Sequence, residues 1–207
     1  MANLHTLLFT GGGVHDWKGC GAVLKEHLDA VPDFDVTHVE DDLDIFVSPE
    51  VNAFDSVAFY YTVGEISDHH LLGLLRFVTG GKGFVGIHGA TASFKQCDEY
   101  RAMIGGYLVG HPGLRPYMVS VVDPEHPITQ GLSEFVVTDE QYTMNYDPRV
   151  SVLANALYQG EPHPVVWTKN WGQGRVVYLA QGHNPDCCRD SHLLLMLERS
   201  LRWSAQA

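Results

Sequence analysis

An apolar run of buried type, Gly83-Phe84-Val85-Gly86-Ile87, ends at His88 and passes into Gly89-Ala90-Thr91. Small residues on both sides of one reactive side chain permit a tight strand-to-helix turn of the G-x-S-x-G kind, which lifts that side chain out of the sheet edge. Here the lifted group is an imidazole, suited to act as a general base, a metal ligand or a hydrogen-bonding spacer. The bland alternative is a satisfied core histidine at a strand end. A second glycine-rich turn, Gly105-Gly106-Tyr107-Leu108-Val109-Gly110, delivers His111, with site and turn roles equally open. Asp139-Glu140-Gln141-Tyr142 follows one apolar stretch and Gly182-His183-Asn184-Pro185 another. A carboxylate and an imidazole at strand ends are the minimum kit for proton transfer or for a mixed histidine and carboxylate metal site. Asp139 and Glu140 read slightly better as a solvated turn, whereas a Gly-His pair at a strand end suits close approach to a ligand. In Gly11-Gly12-Gly13-Val14-His15-Asp16-Trp17, backbone amides could hold a polar ligand at a helix start; equally, the loop is bland and Asp16 caps the helix.

The chain has 12 histidines, and His15, His88, His111, His126 and His183 are the five in loop or strand-end contexts. His5, His27, His38, His69, His70 and His192 fall inside elements or on helix faces and read as structural or solvent-facing. His163, between Pro162 and Pro164, is held in an extended loop and carries no chemical signal. No G-x-x-x-x-G-K-[ST] occurs and no G-x-G-x-x-G follows a strand, so no nucleotide cofactor is expected. Cys20, Cys97, Cys187 and Cys188 form neither a C-x-x-C pair nor a zinc-finger spacing and read as reduced thiols of a cytoplasmic protein. With 13 Lys+Arg against 25 Asp+Glu, a formal charge of −12 argues against nucleic acid or an anionic membrane as partner. The short apolar start, Leu4 to Thr10, lacks a basic leader and is far below the roughly 18 residues of a membrane helix.

At 207 residues the chain is expected to form one domain, 1–207, able to bury roughly 70% of its unfolded surface without disulfides. Leu4 to Thr10 reads as a strand, Trp17 to Ala30 as a helix, and Phe34 to Val39 and Ser56 to Tyr61 as two further strands. Between them Glu40, Asp41, Asp42 and Asp44 read as a solvated loop. Asp68 can cap a helix through Thr79, and Gly83 to His88 is a fourth buried strand. Strands separated by helices predict an α/β fold with a mostly parallel sheet covered on both faces, where ligands sit at the carboxyl ends of strands. Beyond about residue 110, prolines punctuate strand-like runs at Tyr117 to Val122, Phe135 to Thr138, Ser151 to Leu157, Val165 to Thr168 and Arg175 to Ala180. Several of these are expected to be antiparallel additions in the C-terminal half. Leu194, Leu197 and Leu201, with Leu193 and Met196 beside them, mark a core-facing final helix.

The chain resembles the ThuA-like, or trehalose-utilisation, family of the class I glutamine amidotransferase-like superfamily. The resemblance rests on Phe84 to Thr91, Gly105-Gly106 with Gly110-His111-Pro112, Val122 to Thr129 with Gly131-Leu132, Asp139-Glu140 with Tyr142, and Pro164 to Trp167 with Gly174-Arg175-Val176. It implies a flavodoxin-like, doubly wound sheet whose elbow normally presents a cysteine. His88 stands at that position here, so no covalent glutamyl intermediate is available. It also implies action on a small-molecule sugar such as a 3-keto-disaccharide, with His88, His183 and Glu140 as base, electrophile and acid. His15 and His111 would bind substrate, Trp17, Tyr61 or Tyr142 would stack on the sugar ring, and some of His15, His88, His111 and His183 would hold one divalent metal ion. The alternatives are a non-catalytic sugar-binding or regulatory module and a hydrolase with an altered nucleophile. An exposed sheet edge in the Pro-punctuated half would allow a homodimer.

Overall fold

A computed structural model describes residues 3–206. The first half runs β1 (Leu4–Gly12), α1 (Trp17–Asp29), β2 (Phe34–Glu40), β3 (Ser56–Thr62), α2 (Asp68–Thr79), β4 (Gly83–Ile87) and α3 (Asp98–Ile104). Strands then dominate, with β5 (Gly106–Gly110), β6 (Arg115–Val121), β7 (Phe135–Asp139) and β8 (Thr143–Tyr146), followed by β9 (Ser151–Tyr158), β10 (Glu161–Trp171) and β11 (Gly174–Leu179). Two helices, α4 (Pro185–Cys188) and α5 (Ser191–Ser204), close the chain.

Nine strands form one sheet in the order β2-β1-β3-β4-β11-β10-β9-β6-β7. The first five positions are parallel, the flavodoxin order with β11 as fifth strand. β10, β9, β6 and β7 extend it antiparallel, as the prolines and short runs of the C-terminal half predict. Every residue of β3 and β4 is buried, the continuous apolar pattern of a strand covered on both faces. α1 packs against α5, and α2 against α3. No helix among the described residues is long and apolar enough to cross a membrane.

Several local expectations are corrected. Ser67, not Asp68, caps α2, its hydroxyl accepting from the His70 amide at 3.3 Å. The strand of the elbow stops at Ile87, and His88 opens a 3₁₀ turn, His88–Ala92. Gly105-Gly106 is not a turn leading to His111: Gly105 ends α3 in the left-handed region, and Gly106–Gly110 is β5, paired with β8 in a separate two-stranded ribbon. Part of the acidic cluster is structural, since Asp42 caps the 3₁₀ turn Leu43–Phe46 and Asp41 accepts from the Gly12 amide at 3.2 Å. The glycine-loop amides are therefore partly spent inside the protein, Gly13 N donating to the Thr62 carbonyl at 3.0 Å. Asp16 does cap α1, accepting from Gly19 N at 3.0 Å.

The antiparallel half cannot lie flat. β7 is five places from β4 in the sheet order, yet the Asp139 carboxylate at its end reaches the Gly182 amide, just beyond β11, at 2.7 Å. Register shifts in β10 at Pro164, Val166 and Trp167 supply the bend, because an irregular pairing raises local twist and curls the sheet. This curl brings the end of β7 over the carboxyl ends of the parallel strands.

Candidate functional site

Four histidines, a glutamate and a tyrosine meet at those carboxyl ends. His88 comes from the elbow after β4, at φ 46°, a left-handed conformation that costs an L residue about 1–2 kcal/mol. Histidine is among the residues that tolerate it best. Its backbone is held by the Tyr178 hydroxyl, which donates to the His88 carbonyl at 2.8 Å and accepts from the Thr91 hydroxyl at 2.9 Å. The elbow is therefore built as its small flanking residues predict.

The His88 side chain is fully buried. Its Nδ1 lies 2.8 Å from the Ala180 carbonyl, which only accepts, so Nδ1 carries the proton and Nε2 presents a lone pair. Nε2 is 2.8 Å from the Tyr142 hydroxyl and 3.6 Å from Glu140 Oε2. His183, on the loop after β11, places Nδ1 3.1 Å from the same Oε2. His111, one-third exposed at the rim, has Nδ1 3.3 Å from Glu140 Oε1 and 3.0 Å from the Pro112 carbonyl. His15 completes the group from the loop after β1. Its Nδ1 is 2.8 Å from the Thr62 hydroxyl, and its ring centroid is 4.7 Å from that of His88 and 4.9 Å from that of His183. One donor atom each from His15, His88, Glu140 and His183 lies within 4.8 Å of the others.

Asp139 and Glu140 are not a solvated turn; they are 1% and 8% exposed. Asp139 accepts three backbone amides, those of Glu140 (2.7 Å), Gly182 (2.7 Å) and His183 (3.3 Å). It thereby ties the carboxylate and imidazole loops into one unit. The His183 loop is further held by the Tyr60 hydroxyl, donating to the Gly182 carbonyl at 2.8 Å. Gly182 has φ 119°, a conformation that glycine adopts without strain.

Burial pushes the His15 imidazole down to about 4, assisted by the neighbouring His88 and His183, so it is neutral at pH 7. Burial acts to raise the Glu140 carboxyl, but the imidazoles packed around it, those of His88, His183 and His111, outweigh burial and hold its pKa below the ordinary range. Burial raises the Tyr142 hydroxyl, with Tyr178 and Glu140 adding to it, and keeps it protonated. The cluster thus offers an ionised carboxylate, a neutral imidazole, a phenol and a lone pair on His88.

Of the two other aromatic candidates, Tyr61 is turned into the core. Trp17 packs on the core with the Lys18 ammonium 5.2 Å from its ring centroid, and Tyr61 is buried among Phe9, Phe59 and Phe94. His126 accepts from the Ile128 amide at 3.2 Å and sits beside Trp203, away from the cluster. Thr62 and the Asp139 anchor escaped the sequence reading. The one available signal for Thr62 was its place at the end of a fully apolar strand.

Gly89 is required by close approach, since a Cβ there would fall 1.8 Å from the Thr62 hydroxyl that holds His15. Gly89→Ala is expected to destabilise the protein by about 1–3 kcal/mol through overpacking and to displace His15. Urea unfolding measures the first effect, and the His15 ring resonances report the second.

The family model described as ThuA, trehalose utilisation, matches residues 5–204. No curated protein matches the sequence. Among solved structures, a ThuA-like protein from Parabacteroides merdae superposes with a TM-score of 0.88 at 21% identity, covering 98% of this chain and 90% of that one. A ThuA-like protein from Bacteroides uniformis gives 0.82 at 19% identity, covering 98% and 92%. A β-galactosidase from Bacillus circulans gives 0.67 at 12% identity, with 99% of this chain matching 31% of that much longer one. At these identities the likeness is one of fold.

Proposed function

Because the chain belongs to the trehalose-utilisation, or ThuA, family, we propose that it is a sugar-processing enzyme that moves protons on a keto-sugar or glycoside, needing no redox cofactor. The observation that carries this reading is the buried His88, its Nδ1 proton committed to the Ala180 carbonyl and its Nε2 lone pair turned toward Tyr142 and Glu140. A histidine at the elbow has no thiolate to form an acyl intermediate, which removes glutamine hydrolysis of the usual covalent kind. What remains is acid-base chemistry by imidazole, carboxylate and phenol.

A ketone at C3 of a sugar acidifies the C–H bond at C2. A base of the cluster, His88 Nε2 or Glu140, takes that proton, and the C–H electron pair becomes the C2–C3 double bond of an enolate. The charge on the C3 oxygen is met by donors already fixed in place, here the Tyr142 hydroxyl and an N–H of His183 or His111. From the enolate, return of a proton to the opposite face isomerises the sugar. Alternatively, the pair returns to form C1–C2 as the bond from C1 to the aglycone oxygen breaks, and that oxygen takes a proton from an imidazolium. His111 is the member best placed to exchange protons with solvent, being the most exposed of the imidazoles beside Glu140.

The test is incubation of a 3-keto-disaccharide with the protein in D₂O, followed by NMR. Deuterium at C2 of the keto-sugar or release of the aglycone is the expected result; release marks elimination, whose product keeps no hydrogen at C2, and exchange alone marks isomerisation. A bound keto-sugar that neither exchanges nor cleaves would sink the enzymatic reading and leave a sugar-binding module.

A further inference from the structure

We propose that His15, His88, Glu140 and His183 form a binding site for one divalent transition-metal cation, with Glu140 as the carboxylate ligand and His111 outside the ligand set. The four residues come from four separate loops, yet one donor atom from each lies within 4.8 Å of the rest. Two ligands on one ion, each about 2.1 Å from it, are at most about 4.2 Å apart, so donors as far apart as 4.8 Å would have to close by about half an ångström or more to complete the site.

Three features show donors poised for a ligand rather than merely crowded. His88 gives its Nδ1 proton to a backbone carbonyl, and His15 has Nδ1 fixed by the Thr62 hydroxyl. Such outer contacts set the tautomer and orientation of metal-bound imidazoles, leaving the other ring nitrogen free to ligate. His183 Nδ1 is buried without a hydrogen-bond partner: it is near Glu140 Oε2 but out of line with it. A buried polar atom left unpaired is costly, and a cation at the centre of the group would satisfy it. Finally, the Asp139 carboxylate binds the backbones of both Glu140 and His183, fixing two of the four ligands to each other.

The donor chemistry selects the ion class. Three imidazoles and one carboxylate suit Zn²⁺, Co²⁺, Ni²⁺, Fe²⁺ or Mn²⁺, whereas Mg²⁺ and Ca²⁺ prefer all-oxygen sites. Four protein ligands leave one or two positions open for a substrate oxygen. The two oxygens of Glu140 divide the work: Oε2 faces His88 and His183, while Oε1 faces His111. The site stands on geometry alone; its role as electrophile for the ketone oxygen rests on the keto-sugar reading. In that role His88 and His183 are ligands, and the proton passes between Glu140 Oε1, His111 and Tyr142.

The experiment is titration of chelator-treated protein with CoCl₂, followed by visible absorption and calorimetry. We expect one Co²⁺ per chain with ligand-field bands, displaced by Zn²⁺, and affinity reduced tenfold or more in His15→Gln and in Glu140→Gln. Near-UV circular dichroism shows that each variant is folded; His15→Gln and His183→Gln are also combined as a reference lacking two ligands. Native protein that binds no more Co²⁺ than this folded double variant would overturn the proposal. The keto-sugar assay separates the two readings. Stoichiometric Co²⁺ without turnover keeps the cation site and removes the reaction; full turnover by protein free of bound cation keeps the reaction and removes the cation's role as electrophile, while the titration alone decides the site.

Discussion

His88→Asn should lower turnover of a keto-sugar by about 10²- to 10⁴-fold, the usual worth of a positioned acid-base group, with a modest fall in melting temperature because the buried Tyr142 hydroxyl loses its acceptor. Asparagine is chosen over alanine for two physical reasons. It is at home at positive φ, where His88 sits at 46°. Its amide can also still donate toward the Ala180 carbonyl, which accepts at 2.8 Å from the native ring. What it lacks is the reach of Nε2 to Tyr142 and Glu140. A variant that folds, binds sugar and retains full turnover would show that His88 is only a structural elbow. His88→Ala is less informative, because it also leaves buried polar groups unpaired.

Asp139→Ala should be the most destabilising substitution among the polar residues of this region, costing on the order of 3–5 kcal/mol in chemical denaturation, since two buried amides and one half-buried amide lose a charged acceptor at once. Asp139→Asn keeps the shape and one accepting oxygen but turns an NH₂ group toward an amide that needs an acceptor. We expect it to fold with a smaller loss, while His183 and Glu140 lose their fixed relation and turnover falls disproportionately to stability. Parallel, small losses in both quantities would instead make Asp139 an ordinary stabilising residue. The turnover-to-stability ratio across the two variants therefore measures positioning.

Much of this architecture was readable from local pattern. Apolar runs broken by helical segments foretold the parallel half, and small residues around His88 foretold the elbow, because both depend on neighbours in sequence. Glu140 was ambiguous for a physical reason: its burial depends on the curl that carries β7 across to β11, a non-local event. His111 was equally open because its place depends on the pairing of β5 with β8. The aromatics show the converse limit. β3 is buried on both faces, so it has no alternation to tell which way Tyr61 points, and Tyr61 lies in the core.

The edge position of β7 has a further consequence. A terminal strand offers unpaired backbone groups to any other chain, the usual starting point for edge-to-edge aggregation. β7 exposes Val136 beside its cross-strand neighbour Met118, both more than half accessible, which makes this edge attractive to a stranger. Yet the same strand ends in Asp139 with Glu140 next in the chain, and so cannot be peeled off without pulling apart the cluster at its tip. Whatever occupies and tightens that cluster clamps the vulnerable edge, so that solubility and shelf life of the protein should rise with occupancy of its site.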